Sequence, residues 1–205
     1  MSWSGLVVAG VGLVALVASV VAARHPFIPR WEQRTFRAVN RLPGWLYPLL
    51  WAPMQLGNLV VGTAAGFAIA AWAGELDVAA GVVVAAVLKL VAERIVRREM
   101  AAYLEVRQRP GTSEPGAVLR GDVPAIGPSF PSGHVILVAA VASLAAPLVS
   151  SAWGWAPFTV AVVVMVGRVY VGAHNPLDVI CGAALGLAIG GCLNLAFGVP
   201  APRSE

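Results

Sequence analysis

Long apolar runs alternate with short polar segments along the chain. A helix needs roughly 20 mostly apolar residues to cross a bilayer, so the runs predict six membrane helices. Their approximate bounds are residues 5–23, 45–73, 78–96, 132–149, 155–171 and 176–197. Arginines interleave with apolar residues at 24–43, which favours either an interfacial segment or a solvated connecting loop. A second polar segment, 98–130, precedes the fourth span.

Composition agrees with this pattern. Apolar residues make up 59% of the 205 residues and charged residues 12%, with a mean hydropathy of +0.79. A soluble domain carries about 25% charged residues. These values exclude a disordered chain, a basic domain that binds nucleic acid and a routine soluble enzyme. We expect one membrane domain over 1–205, with the bilayer as its solvent.

Ionisable residues are costly inside a membrane, so those at span ends are functional candidates. They form three clusters: 89–109 at the end of span three, 131–134 at the start of span four, and 168–178 between spans five and six. In an alternating six-helix topology these three positions share one membrane face. The clusters therefore predict a single site.

The cluster Pro131-Ser132-Gly133-His134 has the features of a helix start that binds an anion. Ser132 suits the N-cap, and Gly133 lets a ligand approach the backbone. Free N–H groups at a helix N-terminus bind phosphate. An ordinary capped membrane helix with an incidental histidine is the alternative.

The third cluster has the pattern Arg-x5-His-x3-Asp, formed by Arg168, His174 and Asp178. A carboxylate near an imidazole fixes its tautomer and makes the other nitrogen a better nucleophile. The guanidinium of Arg168 matches phosphate oxygens. A structural ion pair with a capping histidine would produce the same pattern.

Together these two motifs resemble the type 2 phosphatidic acid phosphatase (PAP2) superfamily of membrane lipid phosphatases. The resemblance implies an all-α integral membrane fold, a bundle of six transmembrane helices, with no metal and no cofactor. It implies a phosphohistidine intermediate, with His174 as the nucleophile, Asp178 as its orienting partner and His134 as the acid. The phosphate-binding residues would be Ser132, Gly133 and Arg168, joined by Lys89 and Arg109.

The sequence departs from the family pattern twice. Gly167 stands where the family usually has a serine. The first motif, Lys-x6-Arg-Pro, is not intact, because the Arg-Pro pair after Lys89 is Arg109-Pro110. On one straight helix Lys89 and Arg109 would be roughly 30 Å apart, so Arg109 can join the site only if the chain folds back after about residue 98. Arg97, roughly 12 Å from Lys89, is the alternative.

We interpret the arginines in this region, Arg94, Arg97, Arg98 and Arg107, as interface anchors rather than ligands.

The predicted activity is hydrolysis of a lipid phosphate: phosphatidate, phosphatidylglycerophosphate, a polyprenyl phosphate or diphosphate, or a polyprenyl phosphosugar. A phosphotransferase using the same histidine and a catalytically silent lipid-binding scaffold are the alternatives.

Charge placement predicts the orientation. Of the 14 lysines and arginines, all but Arg203 lie on or near the site face, whereas the opposite face has Glu75, Asp77 and Glu205. Positive residues favour the cytoplasmic side, so we expect a cytoplasmic site. Arginine outnumbers lysine thirteen to one, which is typical of a GC-rich genome, and we expect a bacterial inner-membrane protein. The small-residue stripe Gly182/Gly186/Gly190 favours helix packing within the chain, with a homo-oligomer contact as the weaker alternative.

Overall fold

The computed structural model describes residues 5–103, 105–149 and 152–197; Arg203 and Glu205, used above for orientation, lie outside these residues. The described chain folds into α-helices joined by short 3₁₀ turns and loops. The α-helices are α1 (Gly5–Ala23), α2 (Arg30–Asn40), α3 (Tyr47–Met54), α4 (Leu59–Trp72), α5 (Leu76–Glu99), α6 (Pro110–Ser113), α7 (Gly133–Ala145), α8 (Ala156–Tyr170) and α9 (Pro176–Ala196).

Helix α7 forms the centre of the bundle, because eleven of its 13 residues are buried. It packs against α9 through the glycine stripe. A Cβ added at Gly182 would lie 2.7 Å from the Ser132 carbonyl oxygen, and one at Gly190 would lie 2.5 Å from Ser143 Cβ. Gly186 faces the α7 backbone in the same way. The stripe is thus used inside the chain, as the sequence analysis favoured, and nothing in the described part of the structure supports the weaker alternative of an oligomer contact through these glycines.

Helix α1 covers the other side of α9. Gly12 of α1 meets Ala184 and Ala188, and Gly191 of α9 meets Ala9 of α1. Small residues on both helices allow this close approach. The N-terminal helix is consequently an integral part of the bundle.

The expected second span, 45–73, is broken. The segments Gly44–Gly57 and Leu59–Trp72 meet with a bend of 75°. A new helix, α4, begins after Asn58, which acts as its N-cap. The Asn58 side chain accepts hydrogen bonds from Val60 N at 3.0 Å and Val61 N at 3.4 Å. The break brings Gly57 against His134, where an added Cβ would lie 2.7 Å from His134 Cβ.

The predicted count of six spans is not confirmed. Within the described residues, α1 and α9 are long and apolar enough to cross a membrane, and the bent pair gives a third candidate. Helices α7 and α8 have 13 and 15 residues, fewer than a full span requires. Helix α5 has 24 residues, but its last three turns carry several charges.

The outer surface of the bundle is apolar, as expected for a protein in a lipid environment. Val14 is 73% exposed, Val60 74% and Trp72 91%. Water would disfavour so much exposed apolar area, whereas lipid does not. These side chains and the apolar helices place the chain in a membrane.

The arginine-rich segment 24–43 contains an amphipathic helix, α2, which is packed rather than simply solvated. Glu32, Phe36 and Asn40 form its buried face. The Asn40 amide donates to the carbonyl oxygens of Val118, at 2.8 Å, and Tyr170, at 3.0 Å, and its oxygen accepts from Val118 N at 2.8 Å. Asn40 therefore fastens the long loop before α7 to the end of α8.

Candidate active site

The three ionisable clusters meet at one end of α7. His134, on its first turn, interacts electrostatically with Arg168, His174, Lys89 and Arg109. Arg168 lies in the last turn of α8, His174 lies in the segment just before α9, and Lys89 projects from α5. We call Lys89, Arg109, Arg168 and the N-terminus of α7 the cationic site.

The N-terminus of α7 offers unused hydrogen-bonding capacity. Ser132 is the N-cap and is fully buried, yet its Oγ has no hydrogen-bond partner in the protein. Arg168 Nε is likewise buried without a partner. Buried polar atoms are normally satisfied, so these two are available to a ligand. Gly133 is in close contact with Lys89, because an added Cβ would lie only 2.9 Å from Lys89 Nζ.

The hydrogen-bond partner of His174 Nδ1 is a backbone carbonyl. Ser129 O lies 2.9 Å from Nδ1, whereas Asp178 Oδ2 lies 3.8 Å away, beyond hydrogen-bond distance. If Nδ1 carries the proton and donates it to Ser129 O, Nε2 has a free lone pair. Sequence reasoning missed Ser129, since a backbone contact between residues 45 positions apart leaves no pattern in the side chains.

Asp178 is held by other partners. Its Oδ2 accepts from Asn175 N at 2.8 Å, which caps α9, and its Oδ1 accepts from Arg107 at 3.3 Å. The same guanidinium donates to both carboxylate oxygens of Glu32, at 3.0 and 2.9 Å. Glu32 also accepts from Leu177 N at 3.0 Å. Glu32, Arg107 and Asp178 thus form a buried ion-pair triad behind His174.

This triad corrects the interpretation of Arg107 as an interface anchor. Its side chain is 2% exposed, and its guanidinium lies 5.7 Å from the centre of the Phe130 ring. The charge is buried because two carboxylates neutralise it. Burial alone would lower the pKa of Arg107, but its hydrogen bonds and ion pairs with Glu32 and Asp178 raise it above the usual range.

Helix α5 ends at Glu99, and the chain then folds back. This fold-back is what the sequence analysis required for Arg109 to reach the site that contains Lys89. Arg109 N donates to Gly127 O at 2.9 Å, and its side chain donates to Ala173 O at 3.2 Å, next to His174. Arg97 reaches the same region through Glu93, with Arg97 NH2 2.7 Å from Glu93 Oε1. Burial lowers the pKa of Arg109, and the nearby charge of Arg97 lowers it further.

Gly167 faces away from the ligand groups. A Cβ there would lie 2.7 Å from Met54 Cγ on α3. The space that a serine hydroxyl would need is filled by this methionine. Glycine at position 167 therefore allows Met54 to pack closely against α8, where a serine side chain would collide with it.

His174 lies outside both helices that flank it. Burial lowers its pKa, the charges of Arg168 and Arg109 act in the same direction, and Asp178 opposes them. The neutral form is favoured at physiological pH, and a neutral imidazole is the form that can act as a nucleophile. The assembly thus combines a neutral imidazole, a second histidine and several cations around unsatisfied donors.

The PAP2 superfamily pattern matches residues 78–198, more than half of the chain. The chain therefore belongs to the PAP2 superfamily. Among curated proteins, it is 46% identical over 59 residues to an undecaprenyl-diphosphatase of Sulfolobus acidocaldarius. This segment covers 28% of the chain and 28% of the relative, so the chain matches little more than a quarter of that protein's length.

Two solved structures have a similar fold. A transmembrane PAP2-type phosphatidylglycerolphosphate phosphatase from Bacillus subtilis superposes with a TM-score of 0.71 at 19% identity, covering 94% of this chain and 97% of the other. Aquifex aeolicus LpxE superposes with a TM-score of 0.63 at 22% identity, covering 80% and 93% respectively. At these identities the comparison establishes the fold alone.

Proposed function

We propose that the protein is a membrane lipid phosphatase. The observation that carries this proposal is the meeting of two histidines, three cations and two unpartnered buried donors at the N-terminus of α7. Such a helix end binds phosphate through its free N–H groups and dipole. Family membership and the names of the similar proteins, which include two phosphatases acting on lipid phosphates, support the same function.

In the proposed mechanism, the phosphoryl group binds Lys89, Arg109 and Arg168, with further hydrogen bonds from Ser132 Oγ and the Gly133 N–H. His174 Nε2 attacks phosphorus in line as the bond to the leaving oxygen breaks. His134 donates its proton to that oxygen, then accepts one from a water molecule that cleaves the phosphohistidine. The cations stabilise the charge of the transition state. The scheme uses no metal and no cofactor.

Asp178 is assigned an electrostatic role in this scheme. Its carboxylate lies 3.8 Å from His174 Nδ1 and stabilises the imidazolium character that develops on attack. Orientation of the ring is assigned to the Ser129 carbonyl, at 2.9 Å. The sequence motif had assigned the orientation of His174 to Asp178 alone, whereas in this scheme the Ser129 carbonyl orients the ring and Asp178 acts electrostatically.

A lipid substrate fits the surroundings of the site. An apolar groove of about 520 Å³ lies between α4 and α5 and reaches Leu90, the residue after Lys89. We assign the substrate's hydrocarbon chain to it, because apolar chains are favoured there and Leu90 follows Lys89 of the cationic site in the chain. The groove is lined by Leu59, Val60, Thr63, Ala64, Phe67, Val83, Ala86, Val87 and Leu90.

We propose that the site faces the cytoplasm of a bacterial inner membrane. Lys89, Arg109 and Arg168 are assigned to phosphate, and Arg107 is buried in its triad, yet in the six-helix topology predicted from the sequence most of the remaining arginines share the site face. The positive-inside rule then favours the cytoplasm. Substrates made in the inner leaflet, such as phosphatidylglycerophosphate or a polyprenyl phosphosugar, follow from this orientation.

The test is phosphate release by detergent-purified protein from a panel of lipid phosphates: phosphatidate, phosphatidylglycerophosphate and polyprenyl diphosphate. We expect activity on at least one and its loss in His174→Ala. The control is His25→Ala, since His25 belongs to no motif and makes an edge-to-face contact with Phe27, with 4.4 Å between ring centres. Full activity of His174→Ala would refute the mechanism. Phosphate passed to an added alcohol rather than to water would instead identify a phosphotransferase.

A further inference from the structure

A carboxylate lies in the cationic site where the proposed mechanism places phosphate. Glu93 Oε2 is 2.7 Å from Lys89 Nζ, and Glu93 Oε1 is 2.7 Å from Arg97 NH2. A Cβ at Gly133 would lie 2.5 Å from Glu93 Oε2, so the carboxylate touches the first residue of α7. Glu93 therefore uses the same lysine and the same helix end as a phosphate would.

The surroundings make this contact strong. Side-chain exposure is 14% for Glu93 and 13% for Lys89, so solvent screens the pair only partly. Glu93 also interacts electrostatically with Arg109. Two charge-assisted hydrogen bonds and a helix dipole thus stabilise the carboxylate. A phosphate that binds Lys89 and Gly133 must first displace it.

We propose that Glu93 sets the affinity of the cationic site for anions, because its carboxylate is the resident anion that an incoming phosphate must displace. The inference rests on the proposed function, because it concerns the same site. Membranes contain many phosphodiester lipids with a single negative charge, whereas a terminal phosphate carries about −1.5 to −2 at pH 7. An internal competitor raises the dissociation constants of both classes by the same factor, so at a given concentration the weaker anions occupy the site little while the tighter terminal phosphate still binds.

Competition of this kind has a quantitative signature. Removing an intramolecular competitor lowers the dissociation constant of every displacing anion by the same factor. A carboxylate that stays in place and only repels would instead penalise the dianion more than the monoanion. Two soluble probes, inorganic phosphate and dimethyl phosphate, therefore separate the two cases.

The experiment measures the dissociation constants of both probes by isothermal titration calorimetry on the detergent-purified full chain. We expect Glu93→Gln to bind each about tenfold or more tightly, by a common factor, as loss of one charge-assisted competitor implies. In addition, at substrate concentrations well below KM, phosphatidylglycerol should inhibit phosphate release by Glu93→Gln at a lower concentration than it inhibits the wild type, by about the same factor. Glu99→Gln is the matched control, because Glu99 is exposed near the end of the same helix.

Unchanged or weaker binding by Glu93→Gln would overturn the proposal, since weaker binding would mean that Glu93 holds the cations in place. A larger gain for inorganic phosphate than for dimethyl phosphate would also overturn it in favour of simple repulsion. Glu93→Ala, checked by size-exclusion chromatography and tryptophan fluorescence, serves if the glutamine variant misfolds. Both titrations are repeated on His174→Ala, so the binding result stands apart from any failure to release phosphate.

Discussion

Replacing Arg107 by methionine tests the buried triad behind the nucleophile. The guanidinium makes hydrogen bonds of 3.0 and 2.9 Å to Glu32 and 3.3 Å to Asp178, and both carboxylates have fully buried side chains. Without Arg107, each carboxylate keeps one backbone N–H donor but loses its counter-charge. Removing one partner of a buried ion pair costs about 3–5 kcal/mol. We expect Arg107→Met to lose that much stability.

The assay is reversible unfolding in mixed micelles of dodecyl maltoside and SDS, followed by tryptophan fluorescence. The control is Arg34→Met, because Arg34 is an exposed arginine of α2, the helix that carries Glu32. Surface substitutions usually change the free energy of unfolding by about 0.5 kcal/mol or less. If Arg107→Met costs no more than this control, the triad does not stabilise the fold as argued.

A double-variant cycle separates loss of the pair from loss of packing. Glu32→Leu alone leaves Arg107 with Asp178 as its remaining ion-pair partner. The double variant Glu32→Leu/Arg107→Met replaces the pair with apolar side chains, which is often close to neutral. The double variant should therefore be less destabilised than the sum of the single variants, by about 0.5–3 kcal/mol. Additive losses would contradict direct coupling.

Three further changes have expected outcomes. Ser132→Ala should weaken inorganic phosphate binding by about tenfold with little loss of stability, because the buried Oγ has no partner in the protein; calorimetry and an unfolding curve check this, and unchanged binding would contradict it. Burial, with the charges of Arg168 and Arg109, lowers the pKa of His174, so the acid limb of the kcat/KM profile, which reports the free enzyme, should lie below the ordinary histidine value of about 6.5. Asp178 opposes that shift, so Asp178→Asn should move the limb to still lower pH, and a move to higher pH would oppose the assignment. Gly186→Leu should destabilise the bundle by about 1–3 kcal/mol or more, while Gly10→Leu, with open space around Gly10, should not; equal effects would contradict packing of the stripe against α7.

Hydropathy predicted the helices well where one apolar run forms one helix. Residues 5–23 and 176–197 match α1 and α9 closely. The run 45–73 was predicted as one span because averaged hydropathy does not register a change of direction. The signals of the break were present as Pro53 within the run and Asn58 before a fresh apolar stretch, a typical N-cap.

The site residues that sequence reasoning could not find depend on contacts between distant segments. Arg107 and Glu32 are 75 positions apart, and neither the periodicity nor the spacing of charges relates them. Arg107 stands in a loop rich in arginine, where an interface anchor was the simpler interpretation. Glu93, in contrast, had a local signal: Lys89, Glu93 and Arg97 follow the four-residue spacing of helical ion pairs.

The position of Glu32 on α2 indicates that the folding unit of this protein extends beyond the region matched by the superfamily pattern. The superfamily pattern begins at residue 78, yet the counter-charge of Arg107 comes from α2, well before that boundary. Helix α1 likewise fills one side of α9. We propose that α1 and α2 fold together with the matched region as one domain. A fragment restricted to residues 78–198 would retain both histidines but bury an arginine that had lost one of its two carboxylates.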